Sequence, residues 1–232
     1  GLDSVKAVDA LTTALNSFNK EGLTAAEVAD KLAAVDAVAA TSAGGLAEGV
    51  SRVGSAASDA GVAFDELLGL IASAKQITGR SESVIGNAFK TIFTRLDRSK
   101  VRDVLGGVVD IGENDSAIQI LQKLARAYDG LSRQQQAYIA EITAGVFQIN
   151  QFKAIISDLG AEFSIFDVSQ RAAADSTGIA DKRVKELTQS LSDLAQITGT
   201  NIQQVFAKIG DVAFNDTASD VLKAINTIFD RL

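Results

Sequence analysis

Residues 84–96 read VIGNAFKTIFTRL, and their apolar side chains recur at the three- and four-residue spacing of one helix face. The same spacing recurs in residues 118–128, 138–146 and 221–232, and no segment shows the sustained alternation of a half-buried strand. The apolar set of the first stretch is Val84, Ile85, Ala88, Phe89, Ile92, Phe93 and Leu96. The sequence therefore predicts an all-α fold.

The composition extends this prediction to the whole chain. Its 232 residues include no proline, which fits a helix interior poorly because it lacks a backbone donor and clashes with the preceding turn. We expect a multi-helix array or bundle of about ten to twelve short amphipathic helices. Because the chain also lacks methionine and begins at Gly1, we expect it to be a fragment of a longer protein.

Capping residues and a glycine-rich stretch organise the chain. Residues 106–116, GGVVDIGENDS, form the longest stretch without a helical pattern, and residues 173–179 are a weaker joint. We therefore divide the chain into an N-terminal section at 1–110, a second helical section at 111–177 and C-terminal helices at 178–232. Helix starts are predicted at a Thr24–Glu27 capping box, at Ser81, at Ser132 and at either Asp115 or Ser116.

Two short motifs occur twice. QITG at 76–79 recurs at 196–199, and AFKTIFTRL at 88–96 resembles AINTIFDRL at 224–232, although the spacing between the motifs differs. Either the C-terminal helices are a degenerate repeat, or two helix faces have converged on similar residues.

Five blocks in order resemble the central helical region of tape-measure proteins from tailed bacteriophages and prophages. They are DKLAAVDA from Asp30, GLAEGVSRVGSAASDAGVAFDELLGLIASAKQITG from Gly45, VIGNAFKTIFTRL from Val84, SAIQILQKLARAYDGLS from Ser116 and IAEITAGVFQINQFKAIISDL from Ile139. The combination of NAFKTIFTRL with GVFQIN is the specific part of the resemblance, which covers roughly residues 5–180.

This resemblance implies a structural protein in the lumen of the virion tail. Such a protein sets tail length, scaffolds assembly of the tail tube and is released at genome ejection. The implied partners are the tail-tube protein, tail assembly chaperones and tail-tip or baseplate proteins, with a trimer or hexamer of the chain itself. The alternative is a helical pore-forming or interaction module that aids DNA delivery through the host envelope, although no stretch here is apolar enough to span a membrane.

The residue inventory argues against catalysis. Histidine and cysteine are absent, which removes the commonest general base, the commonest zinc ligand and the thiolate nucleophile. A glycosidase would need two carboxylates across a sugar cleft, for which Asp65 and Glu66 or Glu141 are the candidates, but the chain has no tryptophan and only two tyrosines. We expect no enzymatic activity and no cofactor. The acidic loop Asp110, Glu113 and Asp115 lacks the spacing of a calcium loop, so we also expect no metal.

A basic patch stands out in a chain of net charge −7. Its members are Lys90, Arg95, Arg98, Lys100 and Arg102. The patch can contact DNA phosphates weakly or an acidic tube lumen; alternatively it is a solvated helix end where cations oppose the helix dipole. Phenylalanines such as Phe89, Phe93, Phe147 and Phe152 are predicted to pack in the core, with seams between copies of the chain as the alternative.

Overall fold

The computed structural model describes residues 4–186 and 188–190. Residues 1–181 belong to one compact unit and residues 182–232 to a second one. The described part is helical, with no strand, so the predicted all-α class is confirmed. Its α-helices are α1 (Ser4–Ser17), α2 (Ala25–Val38), α3 (Ala43–Asp59), α4 (Phe64–Thr78), α5 (Glu82–Leu96), α6 (Ser99–Gly106), α7 (Ala117–Tyr128), α8 (Arg133–Ala144), α9 (Ile149–Leu159) and α10 (Ile165–Ala174), with a 3-10 turn at Asn19–Glu21.

Several helices begin where the capping residues predict. Thr24 Oγ1 accepts a hydrogen bond from Glu27 N at 3.2 Å, and Thr24 N donates to the Glu27 carboxylate at 2.8 Å, which completes the predicted capping box of α2. Ser116 and Ser132 cap α7 and α8 in the same reciprocal way. Ser81 is the first residue before α5, but its side chain makes no capping hydrogen bond.

Helix α4 lies at the centre of the first unit. Every residue from 67 to 74 is buried, so this helix has no solvent-facing side over two turns. It contacts α2, α3, α5, α9 and α10. These five helices therefore pack around α4, and the amphipathic faces of the described helices supply the rest of the core.

Helices α3 and α5 run in the same direction and pack closely through glycines. A Cβ atom built on Gly86 of α5 would lie 2.5 Å from the carbonyl oxygen of Gly49 and 2.9 Å from Arg52 Cβ. One turn earlier, a Cβ atom on Gly45 would lie 2.5 Å from the carboxylate of Glu82. The absence of side chains at these positions lets the two backbones approach within contact distance.

The carboxylate of Glu82 is buried beside this contact. Thr41 Oγ1 donates a hydrogen bond to Glu82 Oε1 at 2.8 Å, and Lys75 Nζ lies 3.7 Å from Glu82 Oε2. The carboxylate also lies next to the first turn of α3, as its proximity to Gly45 shows, and so faces the positive end of that helix dipole. Glu82 thus connects α3, α4 and α5 at one end of the core.

Helix α10 is held in place by a buried aspartate. The carboxylate of Asp158, at the end of α9, accepts hydrogen bonds from Ile165 N and Phe166 N at 2.9 Å and from Ser164 Oγ at 3.1 Å. These are donors at the N-terminus of α10, where a negative charge is favoured. The ring of Phe166 then packs 2.9 Å from the Cβ position of Gly69, which brings α10 against α4.

The division proposed at residue 110 falls inside the first unit. Residues 107–116 form the predicted non-helical stretch, and Ala117 N donates to Ala60 O at 2.9 Å directly after it. Most of the predicted section 178–232, including both second copies of the repeated motifs, lies outside the described residues. Among the described helices, none combines the length and apolar character needed to cross a membrane.

Candidate interaction surface

The basic patch consists of exposed side chains and of side chains that donate hydrogen bonds to backbone carbonyl groups. Lys90 on α5, Arg98 before α6 and Lys100 on α6 are exposed, whereas Arg95 and Arg102 are partly buried. The two partly buried arginines hold different parts of the backbone, so the five residues do not act as one cluster.

Arg95 supports the end of α8. Its Nη1 donates to the carbonyl oxygen of Ile142 at 3.1 Å, and its guanidinium lies 3.0 Å from the Cβ position of Gly145. Gly145 has φ of 70° and ends α8, with its amide donating to Glu141 O at 2.8 Å. The positive charge of Arg95 therefore sits at the negative end of the α8 dipole, where it is favourable.

Arg102 supports the acidic loop. Its Nη2 donates to Gly112 O at 2.8 Å and to Glu113 O at 3.2 Å. Asp115 closes the same loop, because its carboxylate accepts from Gly112 N at 2.7 Å and pairs with Lys123. The hydrogen bond from Lys123, followed by the one from Gly112, lowers the pKa of Asp115 below its ordinary value.

A substitution series separates the two kinds of cation. Arg102→Met removes donors to loop carbonyls, and we expect the free energy of unfolding to fall by about 1–2 kcal/mol. Arg98→Met and Lys100→Met remove exposed charges and should change it by less than about 0.5 kcal/mol. Urea denaturation followed by circular dichroism measures all three. Equal effects at the three positions would contradict the role assigned to Arg102.

An exposed apolar corner lies between α8 and α9, and it was not predicted from the sequence. Phe147 is 89% exposed, and Val146 beside it is 61% exposed. Tyr138, on the outward side of α8, is 54% exposed. We refer to Val146 and Phe147 as the α8–α9 corner. Exposed apolar groups of this size on neighbouring residues are typical of surfaces that contact other proteins.

The prediction that Phe147 packs in the core is wrong, whereas it is confirmed for Phe89, Phe93 and Phe152. Gly145 is the reason, because its positive φ ends α8 and turns the backbone before Phe147 can continue the apolar face. The glycine within GVFQIN was the available sequence signal, since a glycine after a helical pattern commonly ends the helix.

A comparison with known families matches the part of the chain that contains most of these helices. The family model described as phage-related minor tail protein matches residues 1–145, more than half of the chain. The matched range includes α1 to α8 and every member of the basic patch. No solved structure matches the chain. The chain therefore belongs to the phage-related minor tail protein family, a family of phage tail proteins.

Proposed function

We propose that this protein is a tape-measure protein of the phage tail. In this role it sets tail length, scaffolds assembly of the tail tube and is released at genome ejection. The observation that carries the proposal is membership of the minor tail protein family over residues 1–145. The blocks around NAFKTIFTRL and GVFQIN, which resemble tape-measure sequences, support the finer assignment.

The proposed mechanism depends on length and contact and not on catalysis. The proposed partners are the tail-tube protein, the assembly chaperones and the tail-tip or baseplate proteins, with three or six copies of the chain in the tail lumen. The α8–α9 corner and the exposed cations Lys90, Arg98 and Lys100 are the surface features that favour such contacts. The complete lack of histidine and cysteine supports a role without enzymatic activity.

The short packed helices favour a tape-measure protein that is folded in this section over one that is a single extended helix here. The longest described helix, α3, has 17 residues, which corresponds to about 26 Å at about 1.5 Å per residue. A continuous helix over residues 4–181 would span about 270 Å at the same rise. Because these residues fold back on α4 instead, we propose that this section contributes much less length per residue than a continuous helix would.

The test is a matched deletion and duplication of residues 4–181 in the gene, with tail length measured by electron microscopy of virions. We expect shorter tails from the deletion and longer tails from the duplication, by the same increment and by much less than about 270 Å. A full-length variant with Arg98→Met and Lys100→Met controls for surface changes and should give unchanged tails. Normal tail length in both the deletion and the duplication would overturn the proposal.

A further inference from the structure

Two neighbouring residues of α2 hold two different helix ends. Lys31 reaches the last turn of α10, and Asp30 reaches the start of the helical residues that follow, 179–186. The chain turns between these ends at residues 175–178. All of these contacts lie within the first compact unit, at the point where the chain leaves it.

Lys31 anchors the C-terminal end of α10. Its Nζ donates to the carbonyl oxygen of Ala173 at 3.1 Å and lies 2.9 Å from both carboxylate oxygens of Asp65. The side chains of Lys31 and Asp65 are 14% and 24% exposed, so the pair is largely shielded from solvent. A positive charge at the last carbonyls of a helix is favourable, and shielding strengthens the interaction.

Asp30 binds the N-terminal end of the helical residues 179–186. Its carboxylate accepts hydrogen bonds from Gly178 N at 2.7 Å and from Ala180 N at 2.8 Å. Gly178 has φ of 77°, a conformation that directs the chain into the new helix without the penalty of a side chain. The negative charge thus meets the amides at the helix start, where the dipole favours it.

Most of this turn is exposed to solvent. Asp175, Thr177 and Gly178 are exposed, and Ser176 is the one residue of the turn that is buried. Ile179 and Ala180, which follow the turn, are half-buried. The two hydrogen bonds to Asp30 join residues 178–180 to α2.

We propose that Asp30 and Lys31 form a latch that fastens the end of α10 and residues 178–180 to α2. Lys31 is the fixed part, since it fastens α10, and Asp30 is the part that opens. When Asp30 releases its two amides, residues 178–181 separate from α2 while α1 to α10 stay folded. The device is independent of the proposed role in tail length, because it concerns the folded chain alone.

The test compares Asp30→Asn and Asp30→Ala with Asp129→Asn in the full chain. Asp129 is an exposed aspartate after α7, so its replacement makes the same charge change away from the latch. Amide hydrogen exchange should become about tenfold faster or more at Gly178 and Ala180 in the Asp30 variants, with α5 amides unchanged. Trypsin cleavage after Lys182 and Arg183 should accelerate in the same variants and not in Asp129→Asn.

Two results would overturn the latch. The first is unchanged exchange at Gly178 and Ala180 in both Asp30 variants. The second is an equal loss of protection in α5, which would make Asp30 a general stabilising residue. If Asp30→Ala does not fold, the near-isosteric Asp30→Asn decides, because it removes the charge and one acceptor oxygen with almost no change in shape.

Discussion

Replacement of Gly86 by alanine should lower the free energy of unfolding by about 2 kcal/mol. The new methyl group would lie 2.5 Å from the backbone oxygen of Gly49, and a backbone atom cannot rotate away as a flexible side chain can. Overpacking against a backbone atom falls at the upper end of its usual range, about 3 kcal/mol, and alanine returns about 1 kcal/mol in a helix interior, which leaves a loss of about 2 kcal/mol. The thermal midpoint should fall by about 4–8 °C.

Gly106→Ala is the matched control. Gly106 ends α6, and nothing lies within 4 Å of its Cβ position. We expect this variant to be unchanged or more stable by up to about 1 kcal/mol. The difference between the two variants isolates the contact of α5 with α3, and it can be measured by calorimetry. Equal midpoints for Gly86→Ala and Gly106→Ala would contradict the close packing.

Replacement of Asp158 by alanine should cost about 3 kcal/mol. The change removes a buried acceptor from Ser164, Ile165 and Phe166, and the amide of Phe166 is left without a partner in the core. Hydrogen bonds to charged groups contribute about 1.5–3 kcal/mol, and an unsatisfied buried donor adds a desolvation cost. Because α10 covers α4, we expect the loss to appear in the unfolding of the whole unit.

Asp158→Asn and Glu162→Ala give the comparison for this prediction. Asparagine keeps one acceptor oxygen without the charge, so about half of the loss should remain. Glu162 is exposed in the same loop, and its removal should change the free energy of unfolding by less than about 0.5 kcal/mol. Urea titration of the three variants measures the order. A loss at Glu162→Ala as large as that at Asp158→Ala would refute the capping role.

Helix caps and amphipathic faces could be predicted from the sequence, because they depend on residues close to one another in the chain. The caps at Thr24, Ser116 and Ser132 are correct because each uses residues three positions apart within one turn. The amphipathic face of residues 84–96 is correct for the same reason: its apolar residues contact the core together, except for Val84, which is 44% exposed. Local spacing alone is enough to place such elements.

The central position of α4 depends on distant partners and could not be predicted. Gly69 of α4 contacts Phe166 of α10, and the carboxylate of Glu82 on α5 lies next to Gly45 of α3. Helix periodicity cannot predict contacts between residues so far apart in the sequence. Which members of the basic patch are buried also depends on distant partners. Arg95 finds its carbonyl 47 positions away, so sequence spacing could not distinguish it from the exposed Lys90 and Arg98.

The burial of α4 also affects the protein while it is being synthesised. Gly69 leaves the ribosome about 100 residues before Phe166, the side chain that covers it. At about 5–20 residues per second, this interval lasts about 5–20 seconds. During that time the side of α4 that Phe166 covers in the folded unit lacks this cover. Residues 67–74 therefore need protection from aggregation while the chain is being synthesised.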